Sequence, residues 1–129
     1  MSANEIIRWF HLLAAATWIG GMITVAALVP VLRRGGAERS LIQAAARRFG
    51  HATWVAMTVS VVTGILQIFR LDHDLTGPLA VKLILVSVSI TLAFVHQEVA
   101  RHVRPAVRGA MEAMLLVLGL AILAAAVAI

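Results

Sequence analysis

Apolar residues fall in four long blocks separated by short polar stretches, and that spacing predicts four helices. The blocks cover residues 6–32, 49–69, 79–99 and 107–129. Each is about 20 residues or longer, enough for an α-helix to cross the hydrocarbon core of a bilayer. Arg8, Trp9 and Phe10 open the first block with the mixture found at a membrane interface. Pro30 and Arg33–Arg34 close it, and Gly35–Gly36 break the helix. Periodicity resumes after Ser40, read as an N-cap, through Leu41, Ile42, Ala45 and Phe49. That stretch is expected to run along the headgroups before the second span begins. Gly77–Pro78 is a turn signal, and Pro suits the first turn of the third helix. The expected fold is all-α: an integral membrane four-helix bundle, one domain over residues 1–129.

Composition agrees with the pattern. Apolar residues make up 61% of the chain and charged residues 13%, whereas a soluble domain has about twice that share of charge. The mean hydropathy is +0.96. Without cysteine, disulfides, thiolate metal sites and iron–sulfur clusters are excluded. Residues 1–5 lack a basic n-region and the first apolar block is too long for an h-region, so no cleaved signal peptide is expected.

The net charge of +5 is informative through its placement. Arg33, Arg34, Arg39, Arg47 and Arg48 cluster between the first two spans, and Arg101, Arg104 and Arg108 between the last two. The other side carries Arg8 and Arg70 beside Glu5, Asp72 and Asp74. The positive-inside rule then puts both basic loops in the cytoplasm and both termini outside, in a cell inner (plasma) membrane. These arginines read as topology signals, and no nucleic-acid partner is expected.

Ionisable groups inside spans are costly and point to function. They are His11, His51, Lys82 and His96; Glu98 and Glu112 lie at cytoplasmic ends, where Arg or water can satisfy them. The fourth span is otherwise bare, which confines the expected chemistry to the first three. His11 and Lys82 form an outer layer, His51 and His96 an inner one. Lys82 and His96 are fourteen residues apart on one helix, so the layers stand roughly 20 Å apart. Faces agree: His11, Trp18 and Met22 share one, His51, Trp54 and Thr58 another, and Lys82, Ser89 and His96 a third. Each feature has an ordinary counterpart. A lone His near the headgroups is satisfied by water, Trp18 and Trp54 can serve packing, and Lys82 can snorkel to the interface. His73, between Asp72 and Asp74, reads as a solvated turn or a surface metal site.

Neutral imidazole suits iron, copper and zinc, and haem iron takes His as an axial ligand. His51 and His96 meet the requirement of a common depth. His11 would act alone, with Lys82 near a propionate, or pair with His73. Copper favours Met-rich sites, and Met22, Met57, Met111 and Met114 are scattered along the chain.

At these residues the chain resembles the superfamily of the copper-resistance protein D (CopD) membrane domain, which includes HemJ-type protoporphyrinogen oxidases. The matching pieces begin with Trp9-Phe10-His11-Leu12-Leu13 and Thr17-Trp18-Ile19-Gly20-Gly21. Arg48-Phe49-Gly50, Thr63-Gly64 and Gly77-Pro78-Leu79-Ala80-Val81-Lys82-Leu83 follow, covering most of residues 8–96. The oxidase pattern continues with Pro-Arg-Leu after the first helix, where this chain has Pro30-Val31-Leu32-Arg33. The resemblance implies copper export or tolerance, or b-type haem and redox chemistry, with His11, Lys82 and His96 as functional positions. His51 rests on its depth.

Three functions are expected in order. The first is a haem b-binding electron-transfer protein, an oxidoreductase if it acts on a quinone or porphyrinogen, with His11, His51 and His96 as metal ligands and Lys82 and Trp18 beside the cofactor. The second is a copper-handling protein using His11 and Met residues. The third is a cofactor-free partner subunit. Gly20–Gly21 and the Ala-rich stretches would also allow a homo-oligomer.

Overall fold

The computed structural model describes residues 1–72, 74–100 and 102–129, so His73 and Arg101 lie outside the described residues. Among the described residues the chain is all-α, with four helices: α1 (Ala3–Arg34), α2 (Arg39–Leu71), α3 (Pro78–Val99) and α4 (Pro105–Val127). All four are long and apolar enough to cross a membrane. At 1.5 Å per residue, α3 and α4 are about 33 and 35 Å long, matching a hydrocarbon core of about 30 Å. Large apolar side chains stand exposed on these helices: Phe69 and Val55 on α2 are 80% and 60% exposed, and Phe94 on α3 58%. Apolar side chains left bare on membrane-length helices belong against acyl chains.

The helices pair into two compact units, α1 with α2 and α3 with α4. In the first, Ser2 caps α1: its Oγ accepts from the Glu5 amide at 3.2 Å, while Glu5 Oε2 accepts from the Ser2 amide at 2.7 Å. The other end of α1 closes in a Schellman motif. The Ala37 amide donates to the Leu32 carbonyl, and that of Gly36 (φ 79°) to the Arg33 carbonyl. This turn reverses the chain into α2. The two helices meet along Ala14, Trp18 and Ile19 on one side and Ile42, Ala56, Met57, Ser60 and Thr63 on the other, all buried. At the far end of the hairpin, Arg70 Nε donates to Asn4 Oδ1 at 2.6 Å.

The helix break expected at Gly35–Gly36 is where α1 ends, with Pro30 inside it and Arg33 and Arg34 in its last turn. One expectation needs correction here: Ser40 does not cap a separate interfacial segment. The N-cap is Glu38, Ser40 lies inside the first turn, and a single unbroken helix of 33 residues follows. No Pro or Gly interrupts residues 38–49. Ile42 is buried in the same heptad register as Ala56 and Thr63, so its stretch has a packed partner and follows the helix axis. α2 is thus about 50 Å long, and the turns carrying Arg39, Arg47 and Arg48 extend its apolar part at the basic end.

In the second unit, Gly77 takes φ 61° ahead of Pro78, a left-handed conformation at the N-cap of α3 that favours glycine. Pro105 likewise occupies the first turn of α4. The buried residues are Leu79 and Ser89 on α3 and Gly119 and Ile122 on α4.

Candidate functional site

His11 projects from the packed face of α1 onto α2. Its Nδ1 lies 2.9 Å from the Ser60 carbonyl oxygen and 3.0 Å from Thr63 Oγ1. A carbonyl oxygen only accepts, so Nδ1 carries a proton. The Thr63 hydroxyl donates to the Val59 carbonyl at 2.6 Å, which leaves its oxygen to accept from His11 as well. One N–H is therefore shared between two acceptors, and in the neutral ring the lone pair sits on Nε2. A ligating His is held in this way, with the other ring nitrogen donating to a carbonyl that fixes tautomer and ring plane.

Gly64 makes that approach possible. A Cβ at this position would stand 3.2 Å from His11 Cε1 and 3.6 Å from Nδ1. Ser60, Thr63 and Gly64, at i, i+3 and i+4, thus form one seat on α2 for the imidazole. Trp18, two turns along α1 on the same face, is buried in the seam.

His51 belongs to the same unit but to another place. It is exposed and lies nine residues before Ser60 on α2, about 13 Å along the axis. His11 and His51 therefore occupy separate depths. His51, Trp54 and Thr58 do share a face, yet it is not the face that packs on α1. His51 and Thr58 are exposed, and the Thr58 hydroxyl donates back to the Trp54 carbonyl at 2.8 Å. Instead His51 lines a groove of about 560 Å³ along the flank of the hairpin. Arg48 and His51 stand on one wall with Ala52, Val55 and Val59; Phe10, Leu13 and Thr17 line the other.

Lys82 and His96 lie in the second unit. The heptad through Lys82, Ser89 and His96 falls on the packed side of α3, where Ser89 is wholly buried and the other two half-buried. His96 Nε2 stands 3.7 Å from Glu112 Oε1 on α4. Among the described residues, His96 Nδ1 and Ser89 Oγ are buried without a hydrogen-bond partner. The fourth helix is therefore not without a polar role, contrary to expectation: its Glu112 meets His96 of α3. The suggested pairing of His11 with His73, and a metal site at His73, lie outside the described residues.

Sequence reasoning singled out His11 but not its seat. The signal was present, since Ser60, Thr63 and Gly64 are small or hydroxyl-bearing and share one helix face. Nothing in the sequence pairs that face with His11 until the hairpin register is known. Compared with protein-family models, curated proteins and solved structures, the chain has no match in any of the three.

Proposed function

We propose that this membrane protein binds haem b and transfers electrons, with His11 as an axial ligand. The observation that carries this reading is the hydrogen bond from His11 Nδ1 to the Ser60 carbonyl, which directs the ligating lone pair to Nε2. The donor set fits the group: imidazole is a haem ligand, and backbone bonding of its far nitrogen raises its basicity and holds its plane. Haem, when bound, supplies one-electron chemistry on a quinone or porphyrinogen. The chain's own part is to orient His11 and keep the surroundings apolar. Trp18 lies on the same face of α1, buried in the seam with α2. Purified protein expressed with ample haem should show a Soret band. Stoichiometric copper, lost on His11→Ala, would instead favour copper handling of the CopD type.

The same hydrogen bonds favour one alternative, a cofactor-free subunit in which His11 simply straps α1 to α2. Replacing His11 by Asn separates the two, because Asn keeps an N–H donor and lacks the second ring nitrogen.

The reading includes a plasma-membrane location with both termini outside, supported by the clustering of Arg33, Arg34, Arg39, Arg47 and Arg48 at one end of the first hairpin. A reporter fused after Ile129 should be active only if it works outside the cytoplasm. A C-terminal reporter that is active inside contradicts the topology.

A further inference from the structure

The groove on the flank of the α1–α2 hairpin is chemically divided along its length. At one end Arg48 and His51, three residues apart on α2, share a face and both border the groove. From His51 to Val59 the wall becomes Ala52, Val55 and Val59, eight residues or about 12 Å. Leu13 and Phe10 face them from α1. A permanent guanidinium charge and an imidazole thus stand where the apolar part of α2 gives way to its arginine-rich turns. An apolar trough leads from them toward the interior of the span. The trough is open along its side, so whatever lies in it also touches the surrounding bilayer.

We propose that this groove holds one anionic phospholipid. Its phosphate, whose charge no headgroup amine cancels, is bound by Arg48 and His51, and one acyl chain lies over Ala52, Val55 and Val59. Charge complementarity selects this occupant. Arg pairs with phosphate through two parallel N–H donors, and a basic side chain at the membrane boundary attracts anionic lipid. Arg47, next to Arg48 on the same helix end, adds to the local field. An open trough suits a two-chain lipid, because the second chain stays in the bilayer.

The test is native mass spectrometry of the whole protein, released from detergent holding equal amounts of phosphatidylglycerol and phosphatidylcholine. The wild type should retain one phosphatidylglycerol per chain, preferred at least about fivefold, the effect of one basic side chain beside an anionic surface. In R48Q/H51N the two lipids should be retained about equally. In R34Q/R39Q, which removes charge from the same end but not from the groove, the preference should persist. Val55→Trp, filling the trough, should reduce retention of both lipids even if the polar double variant fails to express. Equal retention of the two lipids by the wild type overturns the proposal. So does an equal loss of preference in R34Q/R39Q, which would make the effect a diffuse one. A lipid-free dimer whose formation is blocked by Val55→Trp would show a second copy in the groove and likewise overturn it.

Discussion

His11 Nδ1 and the Ser60 carbonyl oxygen stand 2.9 Å apart, so a single ring nitrogen joins the first helix to the second forty-nine residues later. Interhelical hydrogen bonds in membrane proteins contribute about 0.6 kcal/mol on average. His11→Asn keeps a donor near the Nδ1 position and should leave the unfolding free energy within about that amount of the wild type. His11→Leu loses the donor and should be the less stable of the two. Thermal unfolding in detergent, followed by circular dichroism, reads the difference; equal losses in both variants would mean that the bond is not recovered by Asn.

Gly64 gives a prediction with a change of sign. Glycine to alanine within a helix gains about 1 kcal/mol from propensity. Here the new Cβ stands 3.2 Å from His11 Cε1, and displacing a packed ring costs about 1–3 kcal/mol. Gly64→Ala should therefore be neutral to destabilising in the wild type, but stabilising by about 1 kcal/mol in a His11→Ala background, where no ring is in the way. A double-mutant cycle in which Gly64→Ala has the same effect in both backgrounds would remove Gly64 from the His11 seat.

The helices were legible in the chain because a membrane span needs only length and apolarity, and all four blocks carry both. The end of α1 was legible too: Gly35–Gly36 marks it, and the Leu32 and Arg33 carbonyls find their partners there. The start of α2 was not. Ser40 looked like a cap, yet Ile42 packs on α1 and carries the helix back to Arg39. Within the site, depth was readable because residue number measures distance along a helix. Thus His11 and His51 lie apart, as their positions implied. Which face meets which helix depends on hairpin register, and that hid Ser60, Thr63 and Gly64 as partners of His11. It also hid the approach of Glu112 to His96.

Ser89 supplies an independent check on the second hairpin. It is wholly buried, and its hydroxyl has no hydrogen-bond partner among the described residues. A buried, unpaired polar group costs about 1–3 kcal/mol. Ser89→Ala should leave stability unchanged or raise the melting temperature. Ser89→Leu should lower stability by about 1–3 kcal/mol through overpacking. A clear loss in Ser89→Ala would mean that the hydroxyl has a bonded partner in the membrane.

The claim that His11 is a haem ligand is tested most directly by the haem content of the wild type and of His11→Asn, each purified after expression with ample haem. The account predicts a Soret band and stoichiometric haem b in the wild type, and loss of both in His11→Asn with helical content unchanged. A wild type without haem, or a His11→Asn protein with its haem and spectrum intact, would contradict it.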